Sequence, residues 1–232
     1  GIEAYLRDKA PFLLDKGCTI IGNIYGHGPE EYAALAARLA SEGAAHAIEA
    51  NLSCPNVHDA QTARGCRLVA QSPEQVAEYT RALKAATSLP VFVKLTPNVM
   101  DIVAPALAAQ EAGADAVTLI NTLLGMGIDP VTRRPLLHNI AGGLSGPAIR
   151  PVAVKMVWDA AKALSIPVIG MGGICNAADA MQFILAGAGA VAVGCYSFRQ
   201  PDAALRVIEG LDAYCVQQGV DDINALVGAV ET

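Results

Sequence analysis

Residues 167–195 read PVIGMGGICNAADAMQFILAGAGAVAVGC, and this stretch decides the fold class. Its two ends, 167–172 and 189–195, are short apolar runs rich in Val, Ile and Ala, while 176–187 has the composition of an amphipathic helix. A strand, a helix and a second strand in succession form a βαβ unit, in which the two strands run parallel. The stretch therefore predicts a parallel sheet covered by helices.

The same alternation extends over the rest of the chain. Several of the predicted helices begin at a proline or a small polar residue and end at a glycine, as helix termini commonly do. Four further strands are predicted at 18–24, 46–53, 90–96 and 115–121, and further helices at 29–42, 73–87, 100–112, 147–164 and 201–218. The first residues, IEAYLRDKAPFLLDKG, also have a helical pattern. No linker interrupts the series, so residues 1–232 are predicted to form a single domain.

Five of the six predicted strands end in Ser, Thr, Asn, Gly or Cys, and the strand 18–24 has Asn23 beside its last residue, which favours a barrel. In a (β/α)₈ barrel the active site is built from the loops that follow the strands. A doubly wound open sheet would instead carry a GxGxxG turn after its first strand, and this chain has none there. The predicted fold class is α/β, a TIM (β/α)₈ barrel with about six of its eight βα units. The first two units are expected to be missing, since Gly1 is not an initiator Met.

Composition narrows the possible functions. The formal net charge of -6 and the pI of about 5.2 argue against a nucleic-acid partner, which requires a basic surface. No apolar run reaches the length of a membrane helix, and the first residues do not resemble a signal peptide, so a cytoplasmic location is expected. The six cysteines contain no CxxC pair and the four histidines lack metal-site spacing, so neither a disulfide framework nor a metal site is predicted.

Six short motifs stand at the predicted strand ends. In chain order they are NLSCPN (51–56), VKLTP (93–97), INT (120–122), GGLSGP (142–147), GMGGI (170–174) and VGC (193–195). In this order and spacing they resemble the flavin-binding barrel of the dihydroorotate dehydrogenases, and most closely the catalytic subunits of the class 1 B-type. The resemblance covers essentially the whole chain.

The resemblance implies an oxidoreductase that converts (S)-dihydroorotate to orotate in de novo pyrimidine (UMP) biosynthesis. Hydride would pass to FMN and then to NAD through a partner subunit that carries FAD and an iron–sulfur cluster, on a homodimeric core. Cys54 would be the catalytic base. A thiol with an ordinary pKa is only about 3% ionised at pH 7, so activity should rise with pH. The alternative for Cys54 is a buried apolar cysteine.

Lys94 interrupts an apolar strand, and an ammonium group inside a barrel needs an anionic partner. The resemblance makes that partner the flavin ring, where negative charge accumulates on reduction. An ion pair with a core carboxylate such as Glu49 is the alternative.

Glycines follow the last two strands, at the position where many barrels bind a phosphate through backbone N–H groups. By resemblance, the residues that contact FMN are Asn23, Asn51, Lys94, Ile120, Gly146, Gly172, Gly173, Gly194 and Cys195. The family commonly has threonine where Cys195 stands. The residues that contact the substrate are, by the same resemblance, Asn51, Asn56, Asn121 and Thr122, whose amide and hydroxyl groups suit a polar pyrimidine. Isolated asparagines at strand ends are otherwise often turn or cap residues.

Two departures from the family pattern affect these expectations. The segment 58–68 is longer than the turn that is typical there. The family also has a substrate-binding loop and a flavin-contacting lysine ahead of the position of Gly1, so residues 1–232 alone are expected to retain FMN weakly and not to oxidise dihydroorotate. The alternative functions are a related FMN-dependent dihydropyrimidine dehydrogenase, whose motif reads SCPH where this chain has Asn56, and an inactive remnant of the family.

Overall fold

The computed structural model describes residues 1–53 and 68–231. Its strands, in chain order, are β1 (Ile21–Ile24), β2 (Ala47–Asn51), β3 (Val91–Lys94), β4 (Ala116–Leu119), β5 (Leu123–Gly125), β6 (Ile128–Asp129), β7 (Arg134–Pro135), β8 (Gly142–Leu144), β9 (Val168–Met171) and β10 (Ala190–Ala192). Six of them form one parallel sheet in the order β1-β2-β3-β4-β9-β10. All six predicted strands are therefore confirmed, each with somewhat narrower bounds.

The strand order distinguishes a (β/α)₈ barrel from a doubly wound open sheet, the two fold classes considered from the sequence. Along the sheet the order follows the chain, without the reversal at a switch point that a doubly wound sheet has. A sheet of successive βα units that curls in one direction is the arrangement of a (β/α)₈ barrel. The fold is thus α/β, with six of the eight strands of such a barrel, and β1 and β10 lie at the edges of the described sheet.

The helices follow the predicted positions. They are α1 (Ile2–Ala4), α2 (Ala10–Asp15), α3 (Pro29–Ser41), α4 (Pro73–Ala86), α5 (Val103–Glu111), α6 (Arg150–Ala163), α7 (Ala177–Leu185) and α8 (Ala203–Gln218). A π-helical turn, Tyr5–Lys9, joins α1 to α2, where Pro11 has no N–H to donate to the preceding turn. Short 3₁₀ turns occupy Val69–Gln71, Pro147–Ile149, Cys195–Phe198 and Ile223–Leu226. No helix in the described ranges is long and apolar enough to cross a membrane.

The core lies between the sheet and its helices. Side chains alternate across a strand, and those that face the helices, such as Val91, Val93 and Val117, are fully buried. The opposite face carries the polar positions: the register aligns Asn51 with Lys94 and Lys94 with Thr118 across three neighbouring strands. The sequence thus places its chemistry on the face that the helices do not cover.

An excursion between β4 and α6, residues 123–144, was not predicted from the sequence. Within it β5 pairs with β8 and β6 with β7, both antiparallel. Strands of two or three residues are too short to produce a recognisable alternation. The excursion is also rich in exposed apolar side chains, including Leu124, Ile128, Val131 and Leu136.

Candidate active site

A cavity of about 380 Å³ opens at the carboxyl ends of the sheet strands. Its lining contains most of the residues predicted to bind cofactor or substrate. The lining residues are Lys94, Ile120, Asn121, Thr122, Ser145, Gly146, Ile149, Met171, Gly172, Gly173, Ile174, Gly194, Cys195 and Phe198. The loops after β3, β4, β8, β9 and β10 therefore meet around one space, as the active-site loops of a barrel do.

One end of this cavity is formed by glycine backbone. Gly146, Gly172 and Gly173 all have positive φ angles, of 88°, 137° and 74°. A Cβ on Gly173 would lie 2.5 Å from the carbonyl oxygen of Gly146 and 2.9 Å from the Cα of Pro147. The backbones of the loops after β8 and β9 thus approach closely at Gly173, and a side chain there would force the loops apart. Such a glycine-lined pair of loops fits a phosphate group, which backbone N–H groups can approach closely.

Two cysteines stand beside these loops. A Cβ on Gly146 would lie 4.0 Å from the Sγ of Cys195, which places that thiol next to the glycine backbone. Burial raises the pKa of the Cys175 thiol, and the negative charge of the Asp179 carboxylate raises it further. Cys175 therefore remains a neutral thiol at neutral pH, and its Sγ lies 3.7 Å from the carbonyl oxygen of Gly173.

The other end of the cavity is built from side chains. The Asn121 Nδ2 donates to the Asn51 Oδ1 at 3.0 Å and to the Ser53 Oγ at 2.8 Å. The Asn121 Oδ1 accepts the backbone N–H of Thr122 at 2.7 Å. Asn51 does not line the cavity itself, but this network connects it to Asn121, which does. Predicted substrate contacts on two strands are thereby held in one cluster.

Ser53 is a member of this cluster that the sequence analysis did not select. It is 1% exposed, and its Oγ also lies 3.3 Å from the Asn51 Oδ1 and 3.4 Å from the Lys94 carbonyl oxygen. The available signal was a serine inside the NLSCPN motif at a strand end.

Lys94 lines the cavity, and no carboxylate among the described residues forms an ion pair with it. Glu49, the carboxylate that was the alternative partner, instead accepts a hydrogen bond from the Asn23 Nδ2. Within residues 1–53 and 68–231, Lys94 forms neither an ion pair nor a side-chain hydrogen bond. Its ammonium group is therefore a cation available to a ligand in the cavity.

Asn23, which was predicted to contact the flavin, is hydrogen-bonded to Glu49 and lies outside the cavity lining.

Asn98 is a second residue that the sequence analysis missed. The Asn98 Nδ2 donates to the Thr96 Oγ1 at 2.8 Å and to the Thr122 carbonyl oxygen at 3.1 Å, and its Oδ1 accepts the Leu124 N–H at 2.8 Å. The Gln71 Nε2 donates to the Asn98 carbonyl oxygen at 2.7 Å. One asparagine thus ties the loop after β3 to the start of the excursion, directly beside Thr122.

Two predicted site residues, Cys54 and Asn56, lie outside the described residues, as does most of the segment 58–68. Nothing in the structure tests their predicted roles.

The fold and the cavity together define a class: an α/β-barrel enzyme whose ligand site lies at the carboxyl ends of its strands. Comparison with known proteins narrows the class. The family model for dihydroorotate dehydrogenase matches residues 1–214. The chain is 48% identical over 231 residues to the catalytic subunit of dihydroorotate dehydrogenase B (NAD(+)) from Trichlorobacter lovleyi, covering 100% of this chain and 74% of the relative. The protein of the same name from Desulforamulus reducens is 48% identical over 229 residues, covering 99% and 74%.

Among solved structures, DHODH in complex with ferulenol from Eimeria tenella superposes with a TM-score of 0.75. It is 24% identical and the match covers 98% of this chain and 66% of that chain, so this likeness supports the fold alone. The sequence matches show more: the chain belongs to the dihydroorotate dehydrogenase family and is an oxidoreductase.

Proposed function

We propose that residues 1–232 form the flavin-binding barrel domain of a class 1 B-type dihydroorotate dehydrogenase. In this proposal the domain oxidises (S)-dihydroorotate to orotate in pyrimidine biosynthesis, with FMN as its cofactor. The observation that carries the proposal is a single cavity that combines a glycine-backbone end, an amide cluster and a lysine without a protein anion in the described ranges. The activity of the relatives, which are named as dihydroorotate dehydrogenase catalytic subunits, supports the proposal.

The glycine loops suit the phosphate of FMN. Backbone N–H groups at Gly146, Gly172, Gly173 and Gly194 would hold the phosphate oxygens. A Cβ on Gly194 would have only the Cε of Met171 nearby, at 4.0 Å. No protein atom therefore fills the space beside Gly194, and a ligand can occupy it. Cys195 supplies a weakly polar thiol where a hydroxyl would bind phosphate more strongly.

Lys94 would face the flavin ring. Bound FMN would supply the hydride acceptor, and Lys94 would stabilise the negative charge of the reduced ring. A fixed ammonium group in a site that excludes water stabilises such developing charge more than it would in bulk solvent. Since Lys94 has no anionic partner in the described part of the chain, its charge is free for this role.

The amide cluster would bind the substrate. Asn121 and Thr122, which line the cavity, would present amide and hydroxyl groups to a flat pyrimidine that carries a carboxylate, and Asn51, hydrogen-bonded to Asn121, would complete the cluster. Both Nδ2 hydrogens of Asn121 are used by Asn51 and Ser53, and its Oδ1 accepts the Thr122 N–H, so the second lone pair of Oδ1 is what this side chain offers a ligand, in a fixed direction. Asn56 completes the set in this proposal. Preorganised groups of this kind reduce the ordering cost of binding.

Cys54 would act as the base. It takes the proton from the carbon next to the carboxylate-bearing carbon, while the hydride leaves from the carboxylate-bearing carbon and the double bond of orotate forms between the two. A thiol needs to be ionised for this step, so the rate should increase with pH.

Electron transfer from the domain would require a partner. We propose a homodimeric core joined to an FAD and iron–sulfur subunit that reduces NAD. The support is the name of the relatives, each a catalytic subunit of an NAD(+) enzyme.

The test uses the natural full-length protein, with any residues that flank this chain of 232. Cys54→Ala should retain flavin, measured by its absorbance near 450 nm, while dihydroorotate reduces that flavin about 10²–10⁴-fold more slowly. Cys54→Ser should keep part of the rate only at high pH. An unchanged reduction rate in Cys54→Ala would remove the base from the proposal, and a protein without bound flavin would contradict the proposed cofactor.

A further inference from the structure

A buried ion pair lies behind the glycine loops, outside the cavity lining. The Arg150 Nη1 lies 2.6 Å from the Asp179 Oδ1, and the Asp179 side chain is 8% exposed. A buried carboxylate is strongly disfavoured unless it is paired and hydrogen-bonded. The hydrogen-bonding partners of Asp179 therefore show which parts of the backbone this buried carboxylate holds in place, although neither Asp179 nor Arg150 lines the cavity.

Asp179 holds the loop that follows β9. It stands in the first turn of α7, where its backbone N–H donates to the Asn176 Oδ1 at 3.0 Å. Its own Oδ2 accepts the backbone N–H of Cys175 at 2.9 Å. This is close to a capping box, in which side chains near a helix start satisfy each other's backbone N–H groups. Asp179 thus supports the start of α7 through its backbone N–H and fixes the residue two positions after Gly173 through its carboxylate.

Arg150 holds the same loop from the other side. The Arg150 Nη1 also donates to the Gly173 carbonyl oxygen at 3.3 Å. Arg150 is the first residue of α6 and directly follows the turn Pro147–Ile149, which begins after Gly146. The Arg150–Asp179 pair therefore connects the loop after β8 to the loop after β9, the two loops that touch at Gly146 and Gly173.

We propose that Arg150 and Asp179 are positioning residues that set the spacing of the two glycine loops for the cofactor phosphate. The inference rests on the proposed function, since it takes the phosphate to be that of FMN. The pair is suited to positioning because its charges neutralise each other and its atoms contact Gly173 and Cys175 rather than the cavity. An arginine presents its donors in a rigid fork, so it can bind a carboxylate and a carbonyl at once.

The experiment compares FMN with riboflavin, which has the same ring but no phosphate. Asp179→Asn replaces the charged partner of Arg150 by a neutral amide, which is also a weaker acceptor for the Cys175 N–H than a carboxylate. In the natural full-length protein, stripped of flavin, this variant should bind FMN about 10–100-fold more weakly, while riboflavin binding changes less than about threefold. Arg150→Lys, which keeps the charge but not the fork, should show the same selectivity with a smaller effect.

Asp159→Asn is the matched control. It removes an exposed ion pair with Lys155 one turn apart on α6, without contact to either glycine loop. The Asp159→Asn variant should bind FMN and riboflavin with the same affinity as the parent protein does.

Three results are informative. If Asp179→Asn loses FMN and riboflavin affinity equally, the pair has only a general structural role and the inference is overturned. If the parent protein itself prefers riboflavin or shows no preference, the proposed phosphate site fails, which is a different failure. Hydrogen exchange in the flavin-free protein tests the contact directly: the Cys175 N–H should exchange faster in Asp179→Asn than in Asp159→Asn, and equal rates would also overturn the inference.

Discussion

The two ends of the sheet strands use polar residues in opposite ways. At the amino ends, side chains satisfy backbone groups that precede a strand: the His46 Nδ1 accepts the Ile20 N–H at 2.9 Å, and the Asp115 Oδ2 accepts the Val91 N–H at 2.7 Å. The Gln110 Oε1 accepts the N–H groups of Ser165 and Ile166, at 2.7 and 3.2 Å. These bonds direct the side chains at the protein's own backbone rather than at a ligand.

At the carboxyl ends of the strands, several polar groups remain available to bind a ligand. Lys94 has no anionic partner in the described part of the chain, and the glycine loops around Gly146 and Gly173 expose backbone without side chains. At the amino ends the bonds serve stability, whereas the carboxyl ends combine their own hydrogen-bonded networks around Asn121 and Asn98 with groups available for binding, as expected for a barrel. The same type of substitution should therefore change stability at the amino ends and ligand chemistry at the carboxyl ends.

The largest effect is expected from a side chain at the glycine end. Gly173→Ala introduces a Cβ 2.5 Å from the Gly146 carbonyl oxygen, and the φ of 74° already disfavours alanine. Because both loops would have to separate, FMN affinity should fall by more than about 100-fold, measured by titration of the flavin-free protein.

Gly219→Ala is the control for the backbone part of this effect, because it places alanine at a positive φ without a steric clash. Gly219 ends α8 with a φ of 66°, and a Cβ there would have no atom within 4 Å. It should cost about 1 kcal/mol of folding stability and leave FMN binding unchanged. Equal loss of FMN in both variants would contradict the role of contact between the loops.

Two lysines at opposite ends provide the next comparison. Lys94→Met should slow flavin reduction by dihydroorotate about 10²–10³-fold, since it removes the cavity cation, with little loss of stability. Lys84 lies 2.7 Å from the Asp115 Oδ2 at the amino ends. Lys84→Met should leave the reduction rate unchanged and lower the free energy of unfolding by about 0.5–1 kcal/mol. Stopped-flow reduction and urea unfolding measure the two quantities, and a rate defect in Lys84→Met would refute the division between the ends.

The sequence predicted the sheet because its strands are separated by helices of recognisable period. It did not predict the excursion, whose short strands are defined by pairing with each other, such as Leu123 with Leu144. The hydrophobic pattern of a two- or three-residue segment does not indicate which other segment it pairs with.

The candidate site was predictable to the extent that it consists of strand ends. Lys94 was selected because it interrupts an apolar run, and the glycines because they follow the last two strands, whereas Asn121 was selected through the resemblance to the family. Ser53 and Asn98 were missed because their importance comes from partners on other loops, Asn121 and Thr122 respectively. The Asn23 bond to Glu49 was missed for the same reason: it joins neighbouring strands.

A smaller effect is expected from Asn98→Ala. The variant removes the hydrogen bonds that fix the Thr122 carbonyl and the Leu124 N–H, but no group proposed to touch the substrate. The KM for dihydroorotate should rise about 5–20-fold with a smaller change in kcat, because the substrate end would need ordering on binding. Asn224→Ala, which removes a side-chain bond to Asp222 far along the chain, is the control. A change confined to kcat would contradict a positioning role.

The smallest effect concerns pH and the amino ends. Partial burial raises the pKa of Asp115, but the Lys84 hydrogen bond, the Val91 N–H and the Lys84 charge together lower it below its ordinary value of 3.8. The folded protein therefore binds this proton less readily than the unfolded chain does. The stability that the carboxylate contributes is complete above pH about 4 and is lost as the pH falls through 3.8 toward the lowered pKa.

Asp115→Asn should consequently reduce stability by about 0.5 kcal/mol at pH 7, a modest value because the side chain is 42% exposed and solvent screens the pair. The amide oxygen can still accept the Val91 N–H, so the difference reports the charge. Thermal unfolding from pH 7 to pH 3 should show the Tm values of the two proteins converging at the acidic end, while Asp221→Asn, at an exposed position, should follow the parent throughout. A Tm difference that stays constant down to pH 3 would mean that Asp115 acts through its shape and hydrogen bonding, and the amino ends would then be stabilised without any contribution from charge.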